Sequence, residues 1–157
     1  MKANWFEIKI KCTRVGDDGR ERKVTELYLL DAVSYSEAEK RVTSVMEETG
    51  RTAFNIASLK PSRITEIVES KNENHDKWFR GTVDIIDVDG ISGRERKQKT
   101  HFLVAGADMD SALANLQKAV EPYVVPNEIV SLQDTAFMDV FPYFDEENKE
   151  DHEVGTE

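Results

Sequence analysis

The chain has 157 residues and a mass of 17.9 kDa, with 39% hydrophobic and 33% charged side chains and a net charge of −10 at pH 7. This apolar content is enough for a buried core, so a wholly disordered chain is excluded. No apolar run approaches the roughly 18 residues that a membrane helix needs. The N-terminus lacks a signal-peptide pattern, so we expect a cytoplasmic protein that does not bind membranes.

The sequence offers few groups for catalysis or metal binding. Its single cysteine, Cys12, cannot form an internal disulfide, and the histidines His75, His101 and His152 are scattered along the chain. A phosphate-binding glycine loop, a nucleophile elbow and a zinc-protease motif are all absent from it. We therefore predict a protein without metal, cofactor or enzymatic activity.

An internal repeat is the strongest signal in the chain. The sequence Gly-Arg-Glu-Arg-Lys occurs at 19–23 and again at 93–97, an offset of 74 residues. The Trp-Phe pair at 5–6 returns at 78–79, an offset of 73. Each copy has about 65 residues, which is small for an independent core. We therefore expect the two copies to share one core in a single pseudo-twofold domain.

The repeat divides the chain into four parts. They are a β-β-α-β copy over 1–68, a polar linker over 69–76, a second β-β-α-β copy over 77–144 and an acidic tail over 145–157. The tail carries −6 of the net charge of −10, and such a composition predicts disorder. The predicted fold class is α+β, with a largely antiparallel sheet and two helices.

In the first copy, alternation of apolar residues over 6–12 predicts a strand with one buried face. Residues 16–19 have the composition of a tight turn, and 24–32 is again β-rich, so the two strands should form a hairpin. A second hairpin is expected around the turn at 87–93.

Each hairpin is followed by a helical pattern. Ser36 and Glu39 have the spacing of a capping box, and Gly50 is a suitable stop for the first helix. The second helix is expected to begin at Asp110 and to end at Pro122. The predicted core stripes are Ala38, Val42, Val45 and Met46 in the first helix, and Ala112, Leu113, Leu116, Ala119 and Val120 in the second.

After each helix the chain returns to β-rich composition. Strands are predicted over 53–59 and 64–68 in the first copy, with a bulge, bend or break at Pro61. The second copy has the corresponding stretches at 128–132 and 136–141.

Aromatic and basic residues alternate on the outward side of the first strand of each copy. Trp5 alternates with Lys9 and Lys11, and Trp78 alternates with Arg80. This combination is typical of single-stranded nucleic-acid binding, because bases stack on the rings and cations follow the phosphates. The hairpins add the cations Arg20, Arg22 and Lys23 in the first copy, and Arg94, Arg96 and Lys97 in the second.

Other interpretations stay open. The hairpin cations can be ordinary solvated side chains, and the tryptophans can pack at a sheet edge. The acidic tail can compete for the nucleic-acid site, recruit a protein partner or serve solubility alone. A protein-interaction module that uses a sheet edge or the segment 141–144 is therefore the alternative function. The chain can be a monomer or a homodimer.

Several motifs in order resemble a known family. They are WFEIK at 5–9, LLDA at 29–32, SEAE at 36–39, WF at 78–79 and DVF at 139–141. The chain resembles an uncharacterised family of Bacteroidales genomes and their phages over about residues 4 to 141. The resemblance implies a small cytoplasmic protein of phages and mobile elements, without catalytic residues to transfer. Small acidic-tailed proteins in that setting are often accessories of replication or recombination.

Overall fold

A computed structural model describes residues 4–50 and 53–142. In chain order its elements are β1 (Asn4–Val15), β2 (Glu21–Ala32), α1 (Tyr35–Glu48), β3 (Phe54–Pro61), β4 (Ile64–Val68), β5 (Lys77–Val88), β6 (Glu95–Gly106), α2 (Met109–Val120), β7 (Asn127–Asp134) and β8 (Phe137–Phe141). Within the described part of the chain, two helices accompany two four-stranded sheets, so the α+β prediction is confirmed. Neither of these helices is long and apolar enough to cross a membrane.

The strands belong to two compact units. Among the described residues, unit 1 contains 4–50, 53–62 and 137–142, and its strand order is β3-β1-β2-β8. Unit 2 contains 63–136, with the order β4-β6-β5-β7. In each sheet an edge strand comes from the other sequence repeat, because β8 pairs in parallel with β2 and β4 pairs in parallel with β6. The sequence repeats and the compact units are therefore different divisions of the chain.

Each unit is built on a long antiparallel hairpin. Strands β1 and β2 pair from Asn4 opposite Ala32 to Val15 opposite Glu21, as the alternation and the turn composition predict. The turn closes through a 2.9 Å hydrogen bond that the Gly16 amide donates to the Arg20 carbonyl. Its last residue, Gly19, has a φ of 77°, a conformation that glycine adopts without steric strain.

The first helix begins two residues earlier than predicted. Its N-cap is Ser34, whose hydroxyl accepts a 3.2 Å hydrogen bond from the Glu37 amide, and the Glu37 carboxylate accepts one from the Val33 amide. Both Ser34 and Ser36 stand three residues before a glutamate, so the capping-box pattern alone did not distinguish them. The predicted stop at Gly50 is confirmed by its φ of 83° after the last turn.

The second helix begins at Met109, one residue before the predicted start at Asp110, and its N-cap is Asp108. The Asp108 carboxylate accepts a 2.8 Å hydrogen bond from the Ser111 amide, and the Ser111 hydroxyl lies 3.1 Å from the Asp108 amide. The helix ends at Val120, with Glu121 as its C-cap, before the predicted stop. Leu113, predicted to face the core, is 37% exposed.

Two clusters of buried residues lie among the described residues, one against each helix. Further buried side chains, among them Leu29 and Leu103, belong to neither cluster. In unit 1 the alternating residues Phe6, Ile8, Ile10 and Cys12 are all buried, as the periodicity predicts. Phe141 stacks on Tyr28 with 5.4 Å between ring centroids. The first residue of the aromatic segment 141–144 therefore closes the core of unit 1.

In unit 2, helix α2 packs against two glycines of the sheet. A Cβ atom on Gly81 would lie 2.5 Å from Cδ2 of Leu116, and one on Gly106 would lie 2.8 Å from the Ala112 backbone nitrogen. Such distances are below van der Waals contact, so the glycines permit the close approach of the helix to the sheet.

Candidate functional site

Unit 1 has a sheet face opposite α1, which we name the far face of unit 1. Because Phe6 and Ile8 pack in the core with α1, the alternation of β1 places Trp5, Lys9 and Lys11 on this far face. The register adds Lys23, which lies opposite Thr13.

The exposed part of this far face is its hairpin end. Lys9, Lys11 and Lys23 are exposed, Trp5 is half-buried, and Leu29 is completely buried. Trp5 lies four residues from Lys9, about 13 Å along the strand. None of the three lysines forms an ion pair with a carboxylate in residues 4–50 and 53–142. Their charges are available to a ligand.

A pocket of about 530 Å³ lies at the same end of unit 1. This volume is in the range of small-molecule sites, roughly 300–1,000 Å³. Its polar lining residues are Lys11, Thr13, Lys23, Thr25 and Asn55. Two of the lysines that the sequence singled out thus line one pocket, together with hydroxyl and amide groups.

The arginines of the first hairpin lie elsewhere. Arg22 pairs with Arg14, which places both on the α1 side of the sheet, and its guanidinium is 3.5 Å from the Asp18 carboxylate. Arg14 forms an ion pair with buried Glu26. Arg20 follows the turn and is exposed. The structure therefore does not bring Arg20 and Arg22 onto the far face.

Unit 2 shows the same division. Trp78, Arg80 and Lys97 lie on the sheet face opposite α2, the far face of unit 2, because Phe79 packs in the core. Trp78 and Arg80 are half-buried, whereas Lys97 is exposed. Arg96 lies opposite Asp87 on the α2 side, and Arg94 belongs to the turn.

A polar cluster on the far face of unit 2 was missed by the sequence analysis. His101 lies opposite Thr82, and 3.3 Å separate its Nδ1 from the Thr82 hydroxyl. Lys99 lies opposite Asp84, with 3.8 Å from Nζ to Oδ1, which is too long for a hydrogen bond, and that oxygen has no hydrogen-bond partner. Arg63 immediately precedes Ile64, the β4 residue that pairs with His101.

The electrostatic environment of His101 is positive. Desolvation lowers the pKa of His101 below its ordinary value of 6.5, and the nearby charges of Arg80, Arg63 and Lys99 lower it further. The imidazole is therefore neutral at pH 7. Alternation with Lys97 could have drawn attention to Lys99, whereas nothing in the sequence places Arg63 beside β6.

The comparison with family models covers both units. The match is to the family described as "domain of unknown function (DUF4494)", over residues 4–143. The chain belongs to this family. It matches none of the curated proteins and none of the solved structures compared with it. The DUF4494 match includes the far faces of both units and their candidate residues.

The candidate side chains on the far faces of this DUF4494 domain are polar, cationic and aromatic. Within the described ranges of the chain, no group of three His, Cys, Asp or Glu side chains could hold a metal ion. Its concentrated features are cations, hydroxyls and two half-buried tryptophans on the far faces. The predicted acidic tail, 145–157, lies outside the described residues.

Proposed function

We propose that the protein is a non-enzymatic binder of single-stranded nucleic acid that uses the far faces of its two units. In unit 1, Lys9, Lys11 and Lys23 contact phosphates and Trp5 stacks on a base. In unit 2, Trp78 supplies the ring, and Arg80 and Lys97 supply the cations. The hairpin arginines Arg20, Arg22, Arg94 and Arg96 add charge around these sites.

The observation that carries this proposal is the group of unpaired lysines on one sheet face of an acidic protein. With a net charge of −10, carboxylates are abundant, yet Lys9, Lys11 and Lys23 have none as an ion-pair partner among the described residues. Strands of nucleic acid bind where cations and aromatic rings share an open groove.

The setting follows from the family resemblance. In a phage or mobile element of Bacteroidales, such a protein would be a cytoplasmic accessory of replication or recombination. The acidic tail at 145–157 would compete with nucleic acid for the lysines or recruit a protein partner.

The direct test is fluorescence anisotropy of labelled oligo-dT over a salt series, with the full-length chain and a chain ending at Phe144. We expect binding that weakens with salt and tightens without the tail. Absence of binding at low salt by both chains would contradict the proposal.

A charge-matched pair of variants locates the site. Combined Lys9→Gln, Lys11→Gln and Lys23→Gln should reduce the slope of log affinity against log salt by about 0.7 for each lost phosphate contact. The control replaces exposed lysines away from the far faces, Lys40, Lys71 and Lys118, by Gln. An equal reduction of this slope in both variants would indicate only a response to net charge.

A second candidate function is a protein-interaction module, favoured by exposed apolar residues in unit 2. Ile91 and Val124 are each 99% exposed and Val88 is 57% exposed. A 2.9 Å hydrogen bond from the Ile86 amide to the Pro126 carbonyl ties the loop after α2 to the end of β5. Combined Ile91→Ser and Val124→Ser should abolish a nuclease-resistant pull-down if this surface binds a protein.

A further inference from the structure

The cluster around His101 has the geometry of an anion site. Arg80 lies on the far face of β5, two residues from Thr82. Arg63 lies just before β4, the strand that flanks β6 on the side opposite β5. Lys99 lies two residues from His101 on β6. Cations from three chain segments thus surround one imidazole.

Neither of the two arginines has an ion-pair partner among the described residues. Arg80 is half-buried. A partly desolvated guanidinium is stabilised by an anion, and its fixed donors match phosphate oxygens. Arg63 is exposed, and Arg80 and His101 are each partly exposed, whereas Leu103, opposite Arg80, is completely buried.

Two carboxylates on the same face restrict where an anion can bind: Asp84 on β5 and its partner Glu128 on β7. Asp84 faces Lys99 and lies four residues from Arg80, about 13 Å along β5. Glu66 pairs with Phe102, which packs in the core, so it lies on the α2 side. An anion is therefore favoured over His101 on the Arg80 side, away from Asp84.

We propose that Arg80 and Arg63 hold one phosphate group of the bound strand above His101, and that His101 takes up a proton from solvent when the phosphate binds. The proposal rests on the proposed single-strand binding. Trp78 is two residues from Arg80 on the same face, about 7 Å along the strand, so the adjoining base is within reach of the ring.

The coupling follows from the charges that face His101. They are Arg80 and Asp84 on β5, Lys99 on β6, Glu128 on β7 and Arg63 before β4. A bound phosphate offsets the three cations, so the pKa of His101 rises on binding. Reciprocally, protonated His101 binds the phosphate more tightly, so affinity increases as pH falls through the range between the free and bound pKa values. Each unit of rise corresponds to a tenfold gain in affinity.

The experiment follows the His101 imidazole by NMR between pH 5 and 8 in the full-length chain. The probes are oligo-dT and sodium sulfate, neither of which changes its own charge in this range, at constant ionic strength. His101→Gln assigns the signal. The His75 resonance, from the same unit, serves as an internal reference.

Two arginine variants and one control decide whether the cluster is the site. We expect both probes to raise the pKa of His101, and Arg80→Gln or Arg63→Gln to reduce that rise. Lys118→Gln, on exposed α2 surface of the same unit, should retain it. In His101→Gln, oligo-dT affinity should lose the pH dependence that the wild type shows.

The outcomes separate this proposal from the proposed function. Oligo-dT binding by anisotropy with an unchanged His101 pKa would overturn the phosphate site and leave single-strand binding intact. A pKa raised by sulfate, with no binding of oligo-dT, would overturn the strand as the ligand and the proposed function with it. If both probes raise the pKa of His101 as much in the two arginine variants as in the wild type, the assignment of Arg80 and Arg63 to the site is overturned.

Discussion

The two units share a core design but differ on their far faces. At equivalent core positions, unit 1 has Ile8 and Val42, whereas unit 2 has Gly81 and Leu116, and every one of these residues is buried. A larger helix residue in unit 2 thus accompanies the loss of the strand side chain. On the far faces, Lys9 and Lys11 of unit 1 are replaced by Thr82 and Asp84.

The core positions and the far-face positions of the two units differ in different ways. In the core of unit 2, Leu116 fits closely against Gly81, where a Cβ atom would lie 2.5 Å from Cδ2 of Leu116, and either a void or an overlap at this contact is destabilising. The far faces differ in charge and in hydrogen-bonding groups, and Thr82 and Asp84 are buried, whereas Lys9 and Lys11 are exposed.

The largest expected effect tests the close contact between Leu116 and Gly81 in the core of unit 2. Leu116→Ala should lower the free energy of unfolding by about 2–5 kcal/mol, because it leaves a cavity. Gly81→Ala alone should cost about 1–3 kcal/mol through overlap with Leu116. The double variant should be more stable than the sum of the two losses predicts.

Urea denaturation measures this coupling unit by unit. Each unit contains one of the two tryptophans, so Trp5→Phe and Trp78→Phe backgrounds report the unfolding of one unit at a time. The decrease in unfolding free energy should appear in the denaturation curve that Trp78 fluorescence reports. Strict additivity of the two substitutions would contradict the direct contact between Gly81 and Leu116.

A smaller effect compares the two tryptophans as base-stacking groups. Trp78→Ala and Trp5→Ala should each weaken oligo-dT binding by about 1–3 kcal/mol. We expect the larger loss for Trp78, since Arg80 is two residues away, whereas Lys9 is four residues from Trp5.

The control for this comparison is Tyr35→Ala, which removes an aromatic ring 56% exposed on α1. Circular dichroism checks that each variant is folded. Unchanged affinity when both tryptophans are replaced would remove stacking from the proposed function.

The smallest effect concerns the helix caps. Ser34→Ala should cost about 1 kcal/mol of unfolding free energy, since the Glu37 amide loses its hydrogen-bond acceptor. Ser36→Ala, which removes the hydroxyl that the sequence pattern favoured, should change stability by less than about 0.5 kcal/mol. Thermal or urea denaturation of the two variants decides between the caps.

The sequence predicted elements well where the local pattern was strong. Alternation of Phe6, Ile8 and Ile10 identified β1 and its buried face, and Gly50 marked the end of α1. The cap of the first helix was misplaced because Ser34 and Ser36 both satisfy the capping-box pattern. Leu113 was misplaced because helical spacing defines the edge of an apolar stripe only approximately.

The candidate site was predicted only in part. Alternation placed Trp5, Lys9 and Lys11 on one face, but it could not show that Arg22 would point to the other side with Arg14. The cluster around His101 depends on the pairing of β4 with β6, a long-range contact without a local sequence signal. Such pairings are decided by packing of the whole sheet rather than by propensity.

The parallel pairing of β8 with β2 and of β4 with β6 has a consequence for the origin of the chain. One copy of the repeat alone would leave the partner position beside its long hairpin empty and its last strand unpaired. Two separate copies could satisfy each other by exchanging that strand, as domain-swapped dimers do. Covalent fusion makes the exchange intramolecular, so that assembly of both sheets no longer depends on protein concentration.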